Sequence, residues 1–112
     1  MNVYRRWVRP IVFRFDPERI HHATMSACRV LGRSALVRHG LDAAFGFDDP
    51  RLKMRVAGID FANPIGLAAG LDKNGVAQRF LTGLGFGFVE IGSVSAFPSA
   101  GNQVRPRLFR LP

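Results

Sequence analysis

The stretch that decides the fold runs Asn63-Pro64-Ile65-Gly66-Leu67-Ala68-Ala69-Gly70-Leu71-Asp72-Lys73-Asn74-Gly75. Its opening Asn-Pro disfavours helix and imposes an extended entry. The short run of small apolar residues that follows is typical of a strand buried on both faces. Gly70 then ends the run, and the charged pair Asp72-Lys73 lies in the loop beyond it. Because ligands bind at the carboxyl ends of strands in parallel α/β proteins, this stretch predicts a cofactor site.

Four separate motifs resemble one family of enzymes. They are residues 63–75, the run 85–95 (Gly-Phe-Gly-Phe-Val-Glu-Ile-Gly-Ser-Val-Ser), the run 105–112 (Arg-Pro-Arg-Leu-Phe-Arg-Leu-Pro) and the run 16–22 (Asp-Pro-Glu-Arg-Ile-His-His). Together they resemble the class 2, quinone-dependent dihydroorotate dehydrogenases over residues 8–112. The resemblance implies flavin mononucleotide (FMN) as cofactor and oxidation of dihydroorotate to orotate in pyrimidine biosynthesis. It also implies a membrane quinone as electron acceptor.

The resemblance implies an α/β fold in which an N-terminal helical membrane-docking module precedes the start of a (β/α)₈ barrel. We expect residues 1–46 to form the membrane and quinone-tunnel module. Residues 47–112 would then form the first part of the flavin-binding barrel, with a hairpin plug and the first βαβ unit. A whole barrel needs about 250 residues, so the 112 residues predict a truncated chain that alone neither turns over nor retains flavin.

Three helices are predicted before residue 46. Apolar residues with 3,1,3,1,3 spacing form the first stripe (Tyr4, Trp7, Val8, Ile11, Val12, Phe15), and Pro10 kinks or restarts this helix. Asp16-Pro17-Glu18 starts the second helix with a cap, a proline and an acid. The helix is predicted to end at Gly32, and six residues form its predicted inner face (Ile20, Ala23, Thr24, Ala27, Val30, Leu31). The third helix covers 34–45, with four residues inward (Leu36, Val37, Leu41, Phe45).

Alternation of apolar and polar residues predicts strands beyond residue 50. Residues 52–56 and 59–61 form a hairpin that turns at Ala57-Gly58. Strand 65–69, a helix with an apolar inner face (Val76, Phe80, Leu81, Leu84) and strand 88–92 form one βαβ unit. Residues 95–107 read as loop and 107–111 as a short strand. The glycines between residues 83 and 87 follow a helix rather than a strand, so they do not form a dinucleotide fingerprint.

Positive charge is concentrated near the N-terminus. Of the net charge of +8, residues 1–40 carry +6, from eight arginines against Asp16 and Glu18. Apolar stripes here fit either a helical pair packed on a core or helices lying in a bilayer interface. Trp7 and Tyr4 beside an Arg-rich face favour the interface, and the resemblance implies the same. We therefore expect a peripheral membrane protein on the cytoplasmic face of a bacterial inner membrane, with no nucleic-acid partner.

Two other functions stay open at this point. The first is a small basic protein that binds membranes or nucleic acid through its arginine-rich helices, and the second is a non-catalytic remnant. The single cysteine, Cys28, lies among apolar helix positions and fits a reduced, buried thiol. No apolar run reaches the length of a membrane span, no secretory signal is present, and no Cys and His residues have zinc-ligand spacing.

Lys73 is the principal candidate site residue, because the resemblance places it at the family's lysine that contacts both flavin and substrate. A fixed cation there would stabilise negative charge on the reduced flavin and hold the substrate carboxylate. The same match assigns flavin contact, mostly through the backbone, to four neighbours (Ala69, Gly70, Leu71, Asp72). Asp72 alternatively acts only as an acceptor that stabilises the loop. Ser93 matches a family hydroxyl beside the flavin, and Glu90 receives no catalytic role.

His21 and Arg110 resemble positions that line the family's quinone tunnel, with apolar walls from the helices (Val8, Ile11, Val12, Thr24). Two departures from the family lie in the loop above the flavin. Ala96-Phe97-Pro98 stands where a basic residue between prolines is usual, and 102–106 is one residue longer than the usual run. The family's general base is a serine that lies beyond Pro112, so no catalytic residue is assigned to this chain.

Overall fold

Helices occupy the first part of the chain, and short strands flank one short helix in the second part. A computed structural model describes residues 2–110. It divides into two compact units, one of residues up to Thr24 together with those from Ser95, the other Met25–Val94. The predicted division into 1–46 and 47–112 concerns the roles of the segments and stays a prediction.

The first helix changes its hydrogen-bonding pattern at Pro10. A π-helical segment, Tyr4–Val8, runs into helix α1, Arg9–Val12, and the Arg9 amide donates to the Tyr4 carbonyl. Proline has no amide hydrogen and its ring clashes with the carbonyl four residues earlier, so the wider turn precedes it. The helical backbone runs on through Pro10, so the helix does not restart there, and the hydrogen-bonding pattern changes instead.

Helix α2, Pro17–Leu31, begins as its sequence predicts. Asp16 Oδ1 accepts the Arg19 amide at 2.9 Å, so Asp16 is the cap. The predicted inner face is wrong in most positions: Met25 and Cys28 are buried, whereas the predicted Val30 and Leu31 are exposed. Ala23, Thr24 and Ala27 are also exposed and Ile20 is half-buried, because the elements that pack on α2 cover a neighbouring stripe.

Helix α3, Ala35–Phe45, follows an N-cap at Ser34, whose hydroxyl accepts the Val37 amide. The predicted bounds are confirmed. Its predicted inner face holds only in part, since Val37 and Leu41 are half-buried while Leu36 and Phe45 are exposed.

The predicted hairpin is confirmed. Strand β1, Met54–Val56, pairs antiparallel with β2, Ile59–Phe61, and Val56 stands opposite Ile59. The two-residue turn needs positive φ at both positions, and Ala57 (50°) and Gly58 (81°) supply it.

A parallel βαβ unit follows, as predicted, although its strands are shorter than the predicted 65–69 and 88–92. Strand β3, Gly66–Leu67, pairs with β4, Phe88–Val89, through helix α4, Gln78–Leu81, and a 3₁₀ turn, Thr82–Leu84. A small core joins α2 to this unit (Met25, Cys28, Ala77, Leu81). Phe80, Leu81 and Leu84 pack inward as predicted, whereas Val76 is exposed. Residues 2–110 form two two-stranded sheets and no closed barrel.

The segment after β4 carries no regular element up to Arg110. The predicted loop at 95–107 is thereby confirmed. The predicted strand at 107–111 is wrong for residues 107–110, and Leu111 lies outside the described residues.

Candidate functional site

The predicted flavin loop begins where β3 ends. Ala69 is half-buried, while Gly70 and Leu71 are exposed. A side chain built on Gly70 would meet no atom within 4 Å, so a ligand can approach the backbone closely there. The absence of a Cβ at Gly70 leaves room for a planar ring such as that of a flavin, and contact of residues 69–71 with a flavin stays a prediction.

Asp72 holds the loop from inside. Its side chain is buried, at 4% exposure. Oδ1 accepts the Val76 amide at 3.0 Å and Oδ2 accepts the Ala77 amide at 2.7 Å. The Asp72 carbonyl accepts the Gly75 amide at 3.0 Å. The structure thus shows Asp72 as the acceptor that stabilises the loop, while its contact with a flavin stays a prediction.

Lys73 follows with its side chain exposed. Its carbonyl accepts the Gly92 amide at 2.9 Å, which ties the loop after β3 to the chain after β4. Within residues 2–110 the ammonium group makes no ion pair, whereas Lys53 pairs with Asp48 at 2.9 Å. An exposed cation on an anchored backbone is suited to hold an anionic ligand.

The Gly92 contact also fixes the position of Ser93, the next predicted flavin neighbour. Ser93 is exposed, and its contact with a flavin stays a prediction. Glu90 is exposed as well, and its amide donates to the Leu67 carbonyl at 2.9 Å, so the carboxylate escapes the cost of burial in this chain.

Asn63 is a structural residue that sequence reasoning left without a role. It is buried, at 7% exposure. Nδ2 donates to the Gly85 carbonyl and Oδ1 accepts the Ile65 amide, each at 3.0 Å. Asn63 thereby pins the start of β3 to the turn before β4. Its place directly before Pro64 in the deciding stretch was the available signal.

A cleft borders this loop at Gly75, and none of the predicted flavin-contacting residues lines it. Its volume is about 340 Å³, and its lining comes from the end of α2 and the start of α4 (Cys28, Arg29, Arg33, Gly75, Val76, Ala77, Gln78, Arg79). Residues 69–73 and Ser93 do not line it. Burial raises the pKa of the Cys28 thiol, and the Asp72 charge adds to the rise, which fits an unreactive structural thiol.

The other unit holds the two predicted quinone-site residues. His21 is half-buried and its ring meets that of His22 edge to face, with centroids 5.8 Å apart. Arg110 donates to the carbonyls of Val12, Phe13 and Phe15 at 3.1, 3.1 and 2.8 Å. Its guanidinium carbon lies 4.6 Å from the centre of the Phe13 ring. Arg110 therefore satisfies the carbonyl end of α1.

Sequence reasoning also missed a contact of Glu18 in this unit. It pairs with Arg107, and the side-chain hydrogen bond from Arg107 holds the pKa of Glu18 below its ordinary value. Most apolar residues of the first helix are exposed, Trp7 to 63%, while Val12 is half-buried.

Residues 2–110 contain neither a metal-binding cluster nor a helix able to cross a membrane. No group of His, Cys, Asp and Glu there has the arrangement of a metal site. No helix in that range combines the length and hydropathy of a membrane span.

A parallel βαβ unit with an open, lysine-bearing loop after its first strand places the second part of the chain in the α/β class. A family model described as dihydroorotate dehydrogenase matches residues 51–112. The chain belongs to the dihydroorotate dehydrogenase family.

Individual relatives match the whole chain. It is 47% identical over 112 residues to the dihydroorotate dehydrogenase (quinone) of Gloeobacter violaceus, covering 100% of this chain and 31% of that protein. It is also 47% identical over 112 residues to that of Chloroflexus aurantiacus (97% and 31%) and over 115 residues to that of Deinococcus deserti (98% and 30%). The chain thus spans about 30% of the length of these curated relatives.

Proposed function

We propose that this chain forms the N-terminal part of an FMN-dependent enzyme that oxidises dihydroorotate to orotate and passes the electrons to a membrane quinone. The observation that carries the proposal is the loop 69–73 of a chain in this family. It combines an open backbone at Gly70, a carboxylate at Asp72 that accepts two backbone amides, and an exposed ammonium at Lys73 that makes no ion pair within residues 2–110.

The residues of the loop divide the work of holding FMN. Residues 69–71 offer their backbone to the ring, and the Ser93 hydroxyl offers a hydrogen bond beside it. When bound, the flavin supplies the hydride acceptor and the route for electrons to the quinone. Asp72 keeps the loop rigid, so that the Lys73 backbone stays fixed by the Gly92 amide. A preorganised cation needs no rearrangement when negative charge develops beside it.

Lys73 also binds substrate in this proposal. Dihydroorotate carries a carboxylate and ring carbonyls, which an ammonium group can hold through charge-assisted hydrogen bonds. One lysine beside both ring systems would lower the energy of charge moving from one to the other. The proton acceptor is a serine outside these 112 residues, and the chain alone is proposed to be inactive.

Residues 1–46 are proposed to dock the enzyme on the membrane. The exposed apolar side chains of the first helix alternate with arginines, which suits the headgroup region of an anionic bilayer. We place the enzyme as a peripheral protein on the cytoplasmic face of a bacterial inner membrane. His21 and Arg110 would border the quinone's path, with apolar walls from residues such as Val12.

A chimera tests the proposal. In the chimera, this chain replaces the matching 112 residues of the Gloeobacter violaceus relative. The remaining residues come from that relative. We expect the purified chimera to retain FMN and to reduce a short-chain ubiquinone with dihydroorotate. A folded chimera that retains FMN but fails to oxidise dihydroorotate would contradict the proposed function.

The basic-protein alternative is tested with the chain alone. Binding to anionic vesicles and to duplex DNA is measured across a salt series, because phosphate contacts to DNA give a steep salt dependence. The proposal predicts vesicle binding and no duplex binding at physiological salt. Tighter binding to the duplex would favour the alternative.

A further inference from the structure

Glu18 lies where the segment after β4 meets the N-terminal helices. It occupies the first turn of α2, and its side chain is 14% exposed. Oε1 contacts the Arg107 guanidinium and lies 3.8 Å from His22 Nε2. The neighbouring acid, Asp16, is engaged as the helix cap. Glu18 is therefore the carboxylate available to the basic segment 105–110.

Arg110 makes the second attachment of that segment, three residues farther along. Its three carbonyl acceptors lie at the end of α1 and in the corner before α2. Arg9 approaches the same Phe13 ring, with its guanidinium carbon 4.9 Å from the ring centre. The guanidinium groups of Arg9 and Arg110 thus contact one ring, while the positive charges of Arg107 and Arg105 act on Glu18.

We propose that Glu18 is a positioning residue: by holding Arg107, it latches the segment 105–110 onto the corner between α1 and α2 and keeps Arg110 on the carbonyl end of α1. The two attachments are three residues apart on a segment without helix or strand, so release of Arg107 should also loosen Arg110. The latch also shapes the quinone site, and this part of the inference rests on the proposed function.

Trypsin tests the latch directly, because it cleaves after an arginine or lysine only when that side chain can leave its partners and enter the protease. The 112-residue chain is digested briefly, and mass spectrometry follows cleavage after Arg107 and after Arg110. We expect Glu18→Gln to accelerate both cleavages by about fivefold, as loss of a partly shielded ion pair allows. Glu90→Gln, which changes an exposed glutamate in the other unit, should leave both rates unchanged.

A double variant tests whether Glu18 acts through Arg107. If it does, Glu18→Gln with Arg107→Gln should release Arg110 no faster than Glu18→Gln alone. The latch is overturned if cleavage after Arg110 is unchanged in Glu18→Gln. It is also overturned if cleavage after Lys53 rises equally, since Glu18 would then stabilise the whole chain rather than this segment.

The single tryptophan, Trp7, offers a separate readout for the quinone site. A short-chain ubiquinone should quench the Trp7 fluorescence to saturation. Glu18→Gln should raise the Kd for this quinone about three- to tenfold, and the control Glu90→Gln should leave it unchanged. An unchanged Kd beside faster cleavage would overturn the role of the latch in quinone binding. Absence of saturable quenching in the wild type would count against the proposed quinone site, while the cleavage rates still decide the latch.

Discussion

Replacing Asp72 by alanine should open the loop that carries Lys73. The carboxylate is buried and accepts two backbone amides, from Val76 and Ala77. Hydrogen bonds to a charged group contribute about 1.5–3 kcal/mol each. Because the two bonds share one acceptor and water can reach the vacated site, their losses do not add fully. We expect Asp72→Ala to lower the free energy of local opening by about 2–4 kcal/mol.

Hydrogen exchange at the amides of Val76 and Ala77 measures this free energy. A change of 2–4 kcal/mol corresponds to exchange faster by about 30- to 700-fold, up to the rate of the unfolded chain. Asp72→Asn keeps one acceptor oxygen and the side-chain volume, so its effect should be about half in free energy. Asp60→Ala is the control, since Asp60 is 77% exposed and lies 3.6 Å from Arg55; it should change exchange less than about threefold. Equal exchange in Asp72→Ala and the wild type would refute the assigned role.

Three further changes test other parts of the structure. Trp7→Glu should abolish co-sedimentation with anionic vesicles, because it places a charge on the exposed apolar face; equal binding by the variant would contradict docking through that face. Alkylation of Cys28 should require a higher pH in the folded than in the urea-unfolded chain, since burial raises the pKa of the thiol in the folded state. The free energy of unfolding should fall as the pH rises from the unfolded-state pKa to the folded-state pKa. Coincident pH profiles of alkylation would show an exposed thiol. Gly87→Ala should lower the free energy of unfolding in urea by more than about 2 kcal/mol, because the new Cβ would collide with the Asn63 carbonyl. Gly40→Ala, which has open space on α3, should raise that free energy by about 0.5–1 kcal/mol. Equal effects would contradict the close approach at Gly87.

Local chemistry allowed several elements to be predicted from the sequence. Asp16 caps α2 because its carboxylate needs only the amide three residues on. The turn at Ala57-Gly58 and the parallel pairing of β3 with β4 likewise follow from short-range patterns. The loop with Lys73 was identified by motif, since its residues are contiguous.

Long-range packing explains what the sequence did not reveal. The buried face of α2 depends on where Ala77 and Leu81 arrive, about fifty residues later, and two adjacent stripes of α2 were apolar enough to pack. The contact between Glu18 and Arg107 spans 89 residues, so no local pattern indicates it. Arg110 was singled out by resemblance, but its attachment to the end of α1 required the structure.

Stopped-flow reduction of the flavin by dihydroorotate tests the central claim, which is the role of Lys73. The measurement uses the chimera with the Gloeobacter violaceus relative. Lys73→Ala should slow flavin reduction about ten- to a hundredfold, the effect of losing one charge-assisted contact. Lys73→Arg should not restore the rate fully, because a planar guanidinium does not replace a compact ammonium. Lys53→Ala, which removes an exposed lysine paired with Asp48, should leave the rate unchanged. If Lys73→Ala reduces its flavin at the rate of the unmodified chimera, Lys73 is only a loop residue and the assignment of this site is contradicted.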